Sequence, residues 1–249
     1  TGRTVSVRYR RPKGVEEMAG RTRWLAQGVT LALGVLLVVS TAPARAYLGP
    51  GDFPTTGDVR SSIGRGGTWD RYLAKRNAGK VVGSRPRGCA SDRPFRAARE
   101  SRAAYYSQAS GYVPGSRRPV FSASVTLYRF GSSGAAKRAL KRVKAHVKGC
   151  PKYTEWVCTQ CDGIFDVWQQ LASVPTIGDG TVAWAGRQMD NFGSRFRKAV
   201  VRDGRIVIEA RVSVGSADPT VGPRFPSTRP TKGQLRKVAT TAYWAAPWG

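Results

Sequence analysis

The chain has 249 residues, with 42 Lys and Arg against 15 Asp and Glu, a formal net charge of +27. That length supports one domain with a substantial core. A balance this basic excludes an acidic, solvating protein and makes polyanions the natural counter-charge.

Residues 1–17 read as an upstream extension of the gene, because the chain starts on Thr and Gly14-Val15-Glu16-Glu17 precedes Met18 where the purine-rich codons of a ribosome-binding site would stand. Met18 to Ala46 reads as a secretory signal peptide: Arg21 and Arg23 form a basic n-region, Leu25 to Val39 an apolar stretch, and Ala44-Arg45-Ala46 an A-x-A cleavage site. The apolar run is short for a bilayer span and lacks a basic stop-transfer flank, which places a retained anchor second. No cysteine at the cleavage point indicates a lipoprotein. Cleavage after Ala46 leaves a single extracytoplasmic domain, 47–249, in which 34 basic residues still face 13 acidic ones. A GC-rich genome exchanges Lys for Arg, but codon bias does not explain scarce acids. Such a surface attracts wall polymers and anionic lipid headgroups, less so at high salt. A charge that merely keeps an exported protein soluble is the plainer alternative.

Residues 47–90 are rich in Gly, Pro, Ser and Arg and read as loops and short pieces over a core. Phe95 to Tyr106 fits a helix or a strand. From Pro119 the pattern sharpens: Phe121, Ala123, Val125 and Leu127 alternate with Ser122, Ser124, Thr126 and Tyr128, as a half-buried strand does. Ala136, Ala139, Leu140, Val143 and Val147 then recur at helical spacing, with Ser132 and Ser133 as N-cap candidates and Gly149 and Pro151 as a stop. Lys137, Lys141, Lys144 and Lys148 fall on the other face, widened by Arg138 and Arg142. That stripe is either a solvated helix face or an anion-binding surface.

All four cysteines, Cys89, Cys150, Cys158 and Cys161, follow the cleavage site. An even count in an oxidising compartment predicts two disulfides with three possible connectivities, of which Cys89–Cys150 with Cys158–Cys161 is preferred. The first closes a loop of about sixty residues and is worth about 4 kcal/mol on the chain-entropy model. Cys158-Thr159-Gln160-Cys161 is also a C-x-x-C pair, but Asp162-Gly163 and a β-rich run follow it, not the helix that a redox motif requires. Four-cysteine zinc fits neither the spacing nor the compartment.

Ile164 to Leu171, Val182 with Trp184, and Arg197 to Val201 read as further strands. Asp203-Gly204 predicts a tight hairpin, because a type I′ turn needs positive φ at both central positions. On the returning strand Ile206, Ile208, Ala210, Val212 and Val214 face one way and Val207, Glu209 and Arg211 the other. Thr231 and Gln234 have capping-box spacing, and Leu235, Val238, Ala239, Ala242, Tyr243 and Ala246 repeat at helical intervals until Pro247. The expected fold is α+β: a mostly antiparallel, twisted β-sheet covered by helices on one face and stapled by disulfides.

The order of these features resembles the PknH-type extracellular sensor domains and the exported sensor-domain proteins of high-GC Gram-positive bacteria. The matching pieces are Leu48-Gly49-Pro50-Gly51-Asp52-Phe53-Pro54 after the cleavage site, a strand into an Ala-rich helix ending at Cys150-Pro151, Val174-Pro175-Thr176-Ile177-Gly178-Asp179, the hairpin Val200 to Val207, and the C-terminal Ala-rich helix. The resemblance spans nearly all of 47–249. It implies a ligand held in a cleft on the sheet, and it supports joining Cys89 to Cys150.

No catalytic, cofactor or metal site is expected. His146 lies on the basic helix with no nucleophile near it in sequence, and no G-x-S-x-G, H-E-x-x-H or phosphate-binding Gly-rich loop follows the cleavage site. A small molecule or lipid in a cleft predicts Tyr128, Trp168 and Trp184 as lining residues. Binding of an anionic envelope polymer predicts Lys137, Lys141, Lys144 and Lys148 with Arg195 and Arg197. Neither reading calls for specific nucleic-acid recognition or a stable membrane span after cleavage. A monomer is expected, secreted freely or held at the cell envelope.

Overall fold

A computed structural model describes residues 47–78, 95–109, 118–156, 164–189, 193–216 and 225–248. All of them lie in the compact unit Ala42–Gly249. The expectations for residues 1–46, and those for Cys89, Cys158 and Cys161, fall outside the described residues. Among the described residues no helix is long and apolar enough to cross a membrane.

The elements in chain order are α1 (Thr56–Ile63), β1 (Trp69–Leu73), β2 (Asn77–Ala78), β3 (Ala98–Gln108), β4 (Pro119–Phe130), α2 (Ser133–Gly149), β5 (Lys152–Trp156), β6 (Ile164–Ala172), β7 (Gly180–Met189), β8 (Ser194–Asp203), β9 (Ile206–Ser216) and α3 (Lys232–Ala245). The strands form one sheet in the order β1-β3-β4-β9-β8-β7-β6-β5, with β2 paired to the far end of β3. Every pairing between these strands is antiparallel. The ambiguous segment from Phe95 becomes β3 from Ala98 on, paired antiparallel with β4 and carrying a bulge between Ala98 and Glu100.

Local chemistry sets the helix ends. Ser132 caps α2, its Oγ accepting from the Ala135 N–H at 3.2 Å. Thr231 and Gln234 form the expected capping box of α3, at 3.0 and 2.9 Å. Helix α1 begins with the same device, Thr55 with Asp58. The β8–β9 turn places Gly204 and Arg205 centrally, one residue later than expected, because Asp203 pairs with Ile206. Gly204 has φ 49°, a conformation that glycine adopts without strain. The displaced Asp203 carboxylate accepts from the Tyr243 hydroxyl at 2.6 Å and ties the turn to α3.

Helices cover both faces of the sheet, which corrects the expectation of one covered face. On one side α1 and α3 bury Val59, Ile63, Leu235, Val238 and Ala242 against Val125, Leu127, Ala199, Val201, Ile208 and Val212. On the other, Ala136, Ala139, Val143 and Val147 of α2 pack on Val167, Val182, Trp184, Val200 and Val207. The physical reason is that β8 and β9 are apolar on both sides at one end: neighbours Val200 and Val201, and Val207 and Ile208, are all fully buried. A sheet region with two dry faces needs two covers.

The segment from Leu48 to Pro54 straps the open end of the first core. Leu48 and Phe53 are buried, and the Leu48 N–H donates to the buried carboxylate of Glu100 at 2.7 Å. Glu100 is neutralised by Arg129 at 2.6 Å and Arg76 at 3.7 Å. The Tyr106 hydroxyl donates to the Pro54 carbonyl at 2.7 Å, and burial pushes its pKa up to about 12. Cys150, at the end of α2, is buried and disulfide-bonded. Its partner lies outside the described residues.

Two outcomes test this architecture. Val143→Ala and Val238→Ala should each destabilise by about 1–3 kcal/mol. Because they sit on opposite faces, the double variant should match their sum to about 0.5 kcal/mol in denaturant unfolding; strong coupling would place both in one core. Alkali should also unfold the protein: Tyr106 stays protonated in the fold but ionises near pH 10 when unfolded, so stability is complete below pH 10 and falls as pH rises towards 12. In pH-dependent melting, Tyr106→Phe should flatten part of that fall.

Candidate functional site

Helix α3 covers the sheet only as far as Ala183 and Ala199. Two residues further along the same face of β7 and β8 stand Ala185 and Arg197, followed by Arg187 and Arg195. Beside them on β6 are Gln170, opposite Ala185, and Trp168, opposite Arg187. The chain entering α3, Phe225 to Pro230, crosses above this uncovered patch. The result is a cleft of about 460 Å³ lined by Trp168, Gln170, Ala185, Arg187, Arg195 and Arg197 on the sheet side and by Arg229 and Pro230 opposite, with Pro151, Gln169, Gly186 and Phe196 completing it.

Register builds a cationic row across four strands. Lys152, Trp168, Arg187 and Arg195 are successive cross-strand partners on β5 to β8. The Trp168 ring receives the Arg187 guanidinium at 4.6 Å and the Lys152 ammonium at 5.3 Å. Such contacts hold long cationic side chains in place and are worth about 0.5–2 kcal/mol each. Arg187 and Arg195 both lie 5.3 Å from the Phe225 ring. Gly186 is required by close approach: a Cβ there would overlap the Trp168 carbonyl and the Phe196 ring.

Arg195 and Arg197 are fastened at one edge only. The Nε–H of Arg195 donates to the Pro226 carbonyl at 2.9 Å, and that of Arg197 to the Pro230 carbonyl at 2.6 Å. These two bonds hang the 225–230 segment over the sheet. Burial lowers the pKa of Arg195, aided by repulsion from Arg229 and Arg187; burial and Arg229 lower that of Arg197. Among the described residues no carboxylate lines the cleft, and none pairs with Arg187, Arg195, Arg197 or Arg229. The nearest ion pair of the row is Lys152 with Asp166 at 3.3 Å. Among the described residues the cleft gathers four guanidiniums, those of Arg187, Arg195, Arg197 and Arg229. Among the described residues no carboxylate or histidine lines it as a general base, and no group of three metal-ligating side chains occurs.

The candidate residues from the sequence separate into three places. Trp168, Arg195 and Arg197 meet in the cleft. Trp184 lies on the opposite face, 6% exposed beneath α2, with Lys198 at 5.9 Å from its ring centroid. Tyr128 belongs to that same core, stacked on Phe95 at 4.1 Å and 11°, its pKa raised by burial and by Glu209. Neither Trp184 nor Tyr128 lines the cleft. Lys137, Lys141, Lys144 and Lys148 are exposed on α2, across the sheet from Arg195 and Arg197, so the two cationic sets do not face one ligand. His146 is half-buried, edge-on to Tyr153 at 5.9 Å. Sequence reasoning missed Arg187, Arg229 and Ala185. Only register places Arg187 beside Trp168, and only the path of 225–230 brings Arg229 over them.

No protein-family model and no curated protein matches the sequence. Among solved structures the chain is similar to the extracellular domain of PknH from Mycobacterium tuberculosis, with a TM-score of 0.52 and 10% identity over 78% of this chain and 92% of that one. It also aligns with an uncharacterized protein from Mycobacterium smegmatis, at a TM-score of 0.38 and 11% identity over 80% and 99% of the two chains. The first likeness is one of fold: the chain has a PknH-like sensor-domain fold.

Repulsion within the cleft is measurable as stability. Arg229 is exposed and faces Arg195 and Arg197, so Arg229→Gln should raise the melting temperature at low salt, and the gain should vanish in high salt. An unchanged or lowered melting temperature at low salt would show that the guanidiniums do not repel one another.

Proposed function

We propose that the protein is a non-catalytic, extracytoplasmic, sensor-like domain that binds a small molecule or lipid in the cleft between β6–β8 and the 225–230 segment. The observation that carries this reading is the cleft itself: about 460 Å³, within the usual range for ligand pockets, with apolar walls and a few convergent polar groups. The sensor-like fold and the signal-like segment before residue 47 support an extracytoplasmic role. Trp168, Arg195 and Arg197 serve the ligand; Trp184 and Tyr128 support the core. The Cys89–Cys150 and Cys158–Cys161 bridges belong to the same proposal, as staples of a secreted domain.

One observation favours a second reading, a basic module on anionic envelope polymers. Lys137, Lys141, Lys144 and Lys148, with Arg138 and Arg142, are all exposed on a helix that carries no acidic residue.

The two readings part on a pair of variants. Native mass spectrometry of protein recovered from the culture medium of its own host should show a bound small molecule. Ala185→Trp, which fills the cleft, should abolish the adduct, while Lys141→Glu with Lys144→Glu should leave it. Should no adduct exist, and should pelleting with purified cell envelope fall steeply with salt and disappear in the lysine variant, the polymer reading replaces the first.

A further inference from the structure

Four guanidiniums in one cleft set a requirement on its occupant. Arg187, Arg195, Arg197 and Arg229 line the same space, and no carboxylate among the described residues balances any of them. Arg195 and Arg197 each spend the Nε–H on a backbone carbonyl, which fixes the plane of the guanidinium and leaves the two terminal amino groups as a fork. That fork matches the spacing of two oxygens on one phosphorus or carbon. Trp168 and Phe225 hold Arg187 between them, its guanidinium 4.6 Å and 5.3 Å from the two ring centroids. A neutral ligand would leave the repulsion among the four cations in place, and a single negative charge would offset one cation of four. The cleft is also larger than one oxyanion needs, and Ala185, Pro151 and Pro230 give it apolar wall.

Resting on the ligand-binding reading of this cleft, we propose that its ligand is an organic phosphate carrying at least two negative charges, with the phosphate oxygens on the forks of Arg195 and Arg197 and closed over by Arg229 and Arg187. A soluble phosphorylated molecule and the headgroup of an anionic phospholipid share this chemistry.

Isothermal titration of the purified protein with inorganic pyrophosphate tests the charge requirement, and flotation with phosphatidylcholine vesicles with or without phosphatidic acid tests the headgroup source. Pyrophosphate should bind, more weakly as salt rises, and Arg195→Gln with Arg197→Gln should weaken it by about tenfold or more, the size expected for losing charge-assisted hydrogen bonds. The double variant also frees the 225–230 segment. Arg229→Gln, which disturbs no hydrogen bond to the core, therefore stands beside it and should weaken binding in the same direction while the near-UV spectrum stays unchanged. Arg60→Gln with Lys75→Gln removes two exposed cations elsewhere and should change nothing. Flotation only with phosphatidic acid, lost in Arg229→Gln, identifies a lipid headgroup; pyrophosphate binding without flotation identifies a soluble phosphate. Equal weakening by the Arg60 and Lys75 pair would overturn the proposal, since binding would then follow net charge. Failure of both probes, with a neutral adduct that Ala185→Trp removes, would overturn the phosphate and leave the cleft reading standing. Failure of both probes with no adduct would overturn the two together.

Discussion

Strands β8 and β9 cross the middle of the sheet with apolar side chains pointing both ways at one end, and helices α2 and α3 take their places from that. Val200 and Val207 face α2, while Val201 and Ile208 face α3, and each of the four is fully buried. A strand buried on one face needs one cover; a ladder buried on both must sit between two layers. Burial at these positions is worth about 1.5–3 kcal/mol per side chain, more than any exposed ion pair on the surface contributes.

The same ladder changes character towards its other end. Past Ala199 on β8 the residues on the α3 face become Arg197 and Arg195, and past Ala183 on β7 they become Ala185 and Arg187. The apolar cover stops where the apolar strand face stops, and the chain leading into α3 spans the gap instead. Two Arg–carbonyl bonds are its fastening. The cleft is what remains when a helix that begins at Lys232 is too short to cover the whole sheet. Its lining guanidiniums face one another across that gap.

Charge elsewhere is handled differently. Glu100 is buried but meets Arg129, Arg76 and a backbone N–H, so that its cost is offset within the fold. Arg202, also buried, pairs with Asp179 at 2.9 Å beside the β8–β9 turn. Helix α2 presents its lysines to water. Only at the cleft do partly buried cations cluster, among the described residues, without an acid to balance them.

Local patterns in the sequence determined much of this protein. The alternation in β4 and β9, the spacing and caps of α2 and α3, and the antiparallel α+β class follow from side-chain period and capping chemistry, which act over a few residues and are written along the chain. Helix α1 was hidden in a Gly- and Ser-rich stretch, because eight residues are too few to show a period, although Thr55 and Asp58 carried its capping signal. Val207 shares the face of Glu209 and Arg211 by alternation yet is fully buried beneath α2, since period shows which residues share a face but not which helix covers it. Trp168, Arg195 and Arg197 could be picked as candidates by residue type; Trp184 and Tyr128 could not be told from them by type alone. Tertiary structure decided that separation. The register of β5 to β8 aligned Lys152, Trp168, Arg187 and Arg195 across strands distant in sequence, and the course of 225–230 brought Arg229 above them. A binding site depends on which side chains meet across space, and strand order and register are set by the packing of the whole sheet, not by any one segment.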